Sequence, residues 1–141
     1  MKVELPYILL AEDDPDDQLT FSEAFSKLNS SVSLKIVQDG DELLDFLDGC
    51  PDPLLPLIMV LDYEMPHLTG ADVLRYLAVC RRFNHIPKIV WSTSTREKDI
   101  SECMQLGAAR YFTKPATNQE LEEFIIGVYA FVNRQFQMVQ D

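Results

Sequence analysis

Five short apolar runs divide the chain, and between them apolar positions recur every three or four residues. Tyr7 to Ala11 predicts a buried strand. Beyond Asp14-Pro15, the apolar positions Leu19, Phe21, Ala24, Phe25 and Leu28 follow helical spacing. Val32, Leu34, Ile36 and Val37 predict a second strand, Asp39-Gly40 a turn, and Leu43, Leu44, Phe46 and Leu47 a short helix that "GCPDPLLP" breaks. Leu57 to Leu61 is a third apolar strand, "DYEMPHLTG" a long loop, and Ala71 to Phe83 a helix with Val73, Leu74, Leu77 and Cys80 inward. Ile89 to Trp91 predicts a fourth strand, Arg96 to Leu106 a helix stopped by Gly107, and Ala109 to Thr113 a fifth strand. The last helix runs from about Asn118 to about Met138, capped by Thr117 or Asn118, with Glu120 in its first turn.

Strands that alternate with helices and are apolar on both faces predict a parallel sheet between two helix layers, a doubly wound α/β fold. The 141 residues suit one domain, 1–141, with its core over about residues 5–132. Ligands of such sheets bind beyond the carboxyl ends of the strands, where the winding reverses. Glu12 and Asp13 stand at the end of the first strand, Asp62 at the end of the third, Ser92 and Thr93 after the fourth, and Lys114 after the fifth.

Charge narrows the chemistry. Lys and Arg total 12 against 23 Asp and Glu, a net charge of -11, which disfavours direct binding to nucleic acid or an anionic membrane and favours proteins and cations. No apolar run nears a membrane span and the first residues do not read as a secretory signal, so a cytoplasmic protein is expected. Cys50, Cys80 and Cys103 lack metal-ligand spacing and read as reduced, packed thiols. "LAEDDPDD" packs five carboxylates into eight residues. Asp14, Asp16 and Asp17 suit a helix start, whose dipole favours acids. Three carboxylates on one rim, Glu12, Asp13 and Asp62, repel one another unless a cation lies among them. Oxygen-only ligands point to Mg²⁺, with Mn²⁺ as an alternative.

"ILLAEDDPDD", "LIMVLDYEMPHLTG", "IVWSTS" and "YFTKP", in that order, resemble the receiver domain of two-component response regulators, including the single-domain chemotaxis regulator. The resemblance implies a flavodoxin-like five-stranded sheet in the order 2-1-3-4-5. It implies Asp62 as phosphoryl acceptor, Asp13 as a direct metal ligand, Glu12 as a ligand mainly through water, and the Glu64 carbonyl as a backbone ligand. Ser92 takes the hydroxyl position, Lys114 the basic position and Tyr111 the aromatic switch position. Glu64 and Ser94 fall where family members tune phosphoryl lifetime. The Lys114-Pro115 bond resembles one that is often cis in the family.

The implied activity is Mg-dependent acceptance of a phosphoryl group from a sensor histidine kinase or phosphotransfer protein, followed by a change of the surface offered to a downstream protein. Such a regulator promotes its own phosphorylation and slow dephosphorylation without being an enzyme. "VWSTSTREKDI" and the long final helix further resemble the stand-alone branch that includes partners of bacterial phytochrome kinases. In that helix Leu121, Phe124, Ile125, Val128 and Val132 form the inward stripe, while Ile126, Tyr129, Phe131 and Phe136 are surplus apolar positions that suit a homodimer or kinase interface. Two other readings stay open on the residues alone: a flavodoxin-like cofactor binder, disfavoured by carboxylates where a phosphate cradle belongs, and a receiver-like interaction module that never takes phosphate.

Overall fold

The computed structural model describes residues 6–28 and 31–140. Its strands and helices alternate along the chain: β1 (Tyr7–Ala11), α1 (Pro15–Ser26), β2 (Ser33–Val37), α2 (Gly40–Asp48), β3 (Ile58–Asp62), α3 (Gly70–Ala78), β4 (Lys88–Ser92), α4 (Glu97–Gln105), β5 (Arg110–Thr113) and α5 (Asn118–Gln140). The five strands pair in parallel in the order β2-β1-β3-β4-β5. The expected doubly wound fold is therefore the one observed.

Alternation along the central strands sends side chains to two cores. Leu9, Met59, Leu61 and Val90 meet Leu43 and Leu47 of α2, Leu74 and Leu77 of α3, and Cys103 of α4. Ile8, Leu10, Val60, Ile89 and Trp91 meet Phe21 and Phe25 of α1 and Leu121, Ile125 and Val128 of α5. Each such aliphatic or aromatic side chain contributes about 1.5–3 kcal/mol by leaving water. On the second face the Trp91 and Phe124 rings stack with centroids 5.8 Å apart, and Phe21 meets Trp91 edge-on at 5.4 Å.

Local chemistry fixes the helix starts. Asp14 caps α1, accepting the Asp16 N–H at 2.8 Å ahead of Pro15. Thr69 and Asp72 form a reciprocal capping box on α3. Thr117 caps α5 by accepting the Glu120 N–H at 3.1 Å.

Three expectations need correction. The third helix ends at Ala78, and Arg81–Phe83 forms a separate 3₁₀ turn. A continuous helix would bring Arg81 under the Leu74–Leu77 stripe and turn Phe83 away; the break buries Phe83 and lets Arg82 bond Asp52 at 2.6 Å and the Leu47 and Cys50 carbonyls. The edge strands are not apolar on both faces. In β2 Ser33 and Lys35 are exposed, and in β5 Arg110, Phe112 and Thr113 are, because an edge has cover on fewer sides. Leu19 is 58% exposed, since α1 turns Phe21, Ala24 and Phe25 inward instead. On α5 the stripe Leu121, Ile125, Val128 and Val132 is buried and Phe124 half-buried as expected. Of the surplus positions Ile126 is exposed, Tyr129 and Phe131 are half-covered, and the Phe136 side chain falls outside the described residues. Cys50, Cys80 and Cys103 are free thiols. Among the described residues, no helix is long and apolar enough to cross a membrane.

Candidate functional site

Strand register brings the chemistry together. Ala11 pairs with Leu61, Asp62 with Trp91 and Ser92 with Thr113, so Glu12, Asp62, Ser92 and Lys114 leave the sheet at one level. The Glu12 N–H donates to the Val37 carbonyl at 3.0 Å and the Lys114 N–H to the Ser92 carbonyl at 2.7 Å, so the ladder extends into the site. Behind Asp62 the chain folds back so tightly that Gly70 has no room for a side chain. A Cβ there would stand 2.9 Å from the Asp62 carbonyl oxygen and 3.0 Å from the Tyr63 Cα.

Lys114 is the hub. Its Nζ lies 2.9 Å from Glu12 Oε2, 2.9 Å from Asp17 Oδ2 and 3.3 Å from Asp62 Oδ2, and 5.0 Å above the Trp91 ring. Burial opposes its charge, but Glu12, Asp17 and Asp62 outweigh burial and hold its pKa above the ordinary lysine value. One ammonium does not neutralise the rim. Glu12 is fully buried, and burial, reinforced by repulsion from Asp62, pushes its pKa up to about 8. Burial raises the Asp62 carboxyl as well, against the pull of Lys114.

One oxygen and one distance describe what the site accepts. Glu12 Oε2 is buried, and what it faces is the Lys114 ammonium at 2.9 Å. Glu12, Asp13 and Asp62 each offer a carboxylate oxygen, all within 4.8 Å of one another. Two of these groups are buried and Asp13 is exposed, so the rim opens to solvent on one side. An all-oxygen donor set with excess negative charge and solvent access suits a hard divalent ion that keeps waters. The Glu64 N–H donates to Asp62 Oδ1 at 3.0 Å, which puts the Glu64 backbone beside the cluster.

The remaining expected residues gather around the loop from β4 to α4. Ser92 is buried, and its Oγ accepts the Ser94 N–H at 2.9 Å. The Tyr111 hydroxyl donates to the Ser94 carbonyl at 2.9 Å, so the half-buried ring bears on the same loop. The exposed Glu64 carboxylate accepts from the Thr93 hydroxyl at 3.0 Å. The Lys114-Pro115 bond is trans, not cis. Trans is the form an amide before proline favours by about 0.5–1 kcal/mol, and Lys114 reaches both Glu12 and Asp62 from it.

Three participants lie outside the residues that the sequence singles out for the site. Asp17 reads as part of the helix start alone, yet from the first turn of α1 it also holds Lys114. Tyr63 and Asp99 carry no role in the sequence reading, whereas Thr93 stands on the rim beside Ser92 as expected. The nearest signal was Ser94-x-x-Glu97, which has capping-box spacing; in the fold the Ser94 hydroxyl bonds Asp99 instead, at 2.7 Å.

A doubly wound sheet with this acidic pocket and lysine defines a class of signalling domain, and comparison with known proteins agrees. The family model described as the response regulator receiver domain matches residues 8–126, and the chain belongs to that family. It is similar to the response regulator RPA3017 in red light signaling of R. palustris, with 34% identity, a TM-score of 0.80, and 90% of this chain and 93% of that one covered. It is also similar to the phosphorylated cyanobacterial phytochrome response regulator RcpA, at 27% identity and a TM-score of 0.82 over 91% and 94% of the two chains. The Mn²⁺-bound response regulator Rcp1 is 26% identical, with a TM-score of 0.79 over 89% and 93%.

Proposed function

We propose that this receiver domain takes a phosphoryl group on Asp62 from a sensor histidine kinase or phosphotransfer protein. The observation that carries the reading is the convergence of Glu12 and Asp62, from two strand ends, on the Nζ of Lys114 from a third, at 2.9 and 3.3 Å. An Asp62 carboxylate oxygen forms a bond to phosphorus as the bond from phosphorus to the donor imidazole nitrogen breaks, and the electron pair leaves with that nitrogen. The product is an acyl phosphate. Catalysis of such a transfer is mainly positioning and charge neutralisation. A Mg²⁺ or Mn²⁺ ion would be held by Glu12, Asp13, Asp62 and the Glu64 carbonyl, and when bound supplies positive charge to the phosphoryl oxygens. Lys114 adds its own charge. The Ser92 hydroxyl gives a hydrogen bond to a phosphoryl oxygen, and its departure from the loop lets Tyr111 turn inward. Glu64, linked to Thr93, and Ser94 set how readily water reaches the acyl phosphate.

Output is a population shift in the surface of α4, β5 and α5, read by a protein partner. Exposed Phe112 and Ile126 make that side suitable for a partner, a second copy of the chain included. Likeness to regulators of red-light and phytochrome signalling supports a photoreceptor kinase as the donor. Intact-mass analysis after incubation with acetyl phosphate and Mg²⁺ tests the reading. One phosphoryl group should appear, and should be absent in Asp62→Asn or with a chelator. A wild type that stays unlabelled, or an Asp62→Asn variant labelled equally, contradicts it.

A further inference from the structure

A second carboxylate, outside the acidic rim, gathers three segments of the chain. Asp99 lies in the first turn of α4 with its side chain 6% exposed. It accepts hydrogen bonds from the Ser94 hydroxyl at 2.7 Å, the Arg96 Nε at 2.9 Å and the Tyr63 hydroxyl at 3.1 Å. Tyr63 directly follows Asp62, and its own backbone is pinned: its N–H donates to the Trp91 carbonyl at 3.1 Å and its carbonyl accepts the Gly70 N–H at 2.9 Å. The Asp99 carboxylate therefore ties the residue after Asp62, the loop from β4 and the start of α4 to one point.

Ser94 is where this knot meets the site. Its N–H holds the Ser92 hydroxyl, its carbonyl holds the Tyr111 hydroxyl, and its own hydroxyl is held by Asp99. The Arg96 N–H adds a bond to the same Ser94 hydroxyl at 3.3 Å. Ser92 cannot swing toward Asp62, nor Tyr111 leave the Ser94 carbonyl, without disturbing a residue that Asp99 anchors. Hydrogen bonds to a charged carboxylate are stronger than neutral ones.

We propose that Asp99 is a positioning residue that latches the loop 92–96 in its resting arrangement, and that its bonds with Ser94 and Tyr63 set the balance between resting and phosphoryl-bound loops. The proposal rests on Asp62 phosphorylation. Tyr63→Phe keeps the ring and deletes one bond of the latch; Asp99→Asn weakens all three. On this proposal the latch bonds belong to the resting loop, so weakening them favours the phosphoryl-bound loop.

The test compares wild type, Tyr63→Phe and Asp99→Asn by amide NMR without phosphodonor, then by mass at limiting acetyl phosphate with Mg²⁺. In the unphosphorylated variants, the amide peaks of residues 93–97 should move along the line joining resting and phosphorylated wild-type positions. The labelled-to-unlabelled ratio at a fixed donor concentration should rise by roughly threefold or more in Tyr63→Phe, the scale of losing one hydrogen bond. A folded Tyr63→Phe with wild-type peak positions and an unchanged ratio overturns the latch while leaving Asp62 phosphorylation standing. A wild type that never labels overturns both. If Asp99→Asn does not fold, Tyr63→Phe alone decides.

Discussion

Lys114 Nζ stands 3.3 Å from the Asp62 carboxylate, at the buried end of a rim whose other acids outnumber it. Replacing Lys114 by Met leaves Glu12 and Asp62 without their cation. We expect the rate of labelling by acetyl phosphate to fall at least about a hundredfold, the scale of losing one preorganised charge from a transition state. Thermal denaturation should show the variant folded, with a metal-free Tm that drops more at pH 8 than at pH 5, because more of the rim is ionised at the higher pH.

Glu12 gives the pH dependence. Its folded pKa of about 8 lies above the ordinary 4.5, so its carboxyl holds its proton more tightly in the folded chain. The folded state is favoured below pH 4.5, and that advantage is lost as pH rises toward 8. Metal-free protein should therefore lose stability across this window. Glu12→Gln should remove much of the loss, raising the metal-free Tm at pH 7.5 by several degrees, with about 4 °C for each kcal/mol at this chain length. In the same variant the Mg²⁺-induced rise in Tm should shrink. Calorimetry at pH 5 and 7.5, with and without Mg²⁺, reads both effects.

Trp91 reports on the site because the Lys114 ammonium lies over its ring at 5.0 Å. Mg²⁺ titration should change Trp91 emission with saturation, since a cation among Glu12, Asp13 and Asp62 alters what holds Lys114. Lys114→Met should abolish most of that change while a direct binding assay still detects the ion. Identical fluorescence responses in the two proteins would count against the coupling.

Gly70→Ala should cost about 2 kcal/mol, within the usual range for forcing a side chain into packed structure. The new Cβ meets backbone, not a movable side chain, and the backbone it meets carries Asp62. Labelling should therefore slow as well, whereas Gly127→Ala, inside α5 with open space around the new Cβ, should raise stability by about 0.5–1 kcal/mol and leave labelling close to wild type. Urea denaturation and labelling kinetics separate the two.

The sheet was legible because β1, β3 and β4 are central: Ile8 to Ala11, Ile58 to Leu61 and Ile89 to Trp91 are covered on both faces, so their apolar runs are unbroken. At the edges the pattern thins, and the end of α3 depends on whether Phe83 or Arg81 faces the core, which no local spacing decides. The principal site residues were legible as polar groups at strand ends. Asp17, Tyr63 and Asp99 were not, because each acts through a partner distant in sequence: Lys114 for Asp17, and Tyr63 and Asp99 for one another. Such pairings exist only once register and helix packing are set.

Chemical mapping of the phosphorylated residue tests the central claim most directly. Borohydride reduces an acyl phosphate to an alcohol, so protein treated with acetyl phosphate and Mg²⁺ and then reduced should carry homoserine at position 62, seen by peptide mass spectrometry. Conversion at position 62 alone is the predicted result. Reduction at Glu12, Asp13 or Asp99 instead, or at no carboxylate, contradicts the assignment of Asp62 as the phosphoryl acceptor.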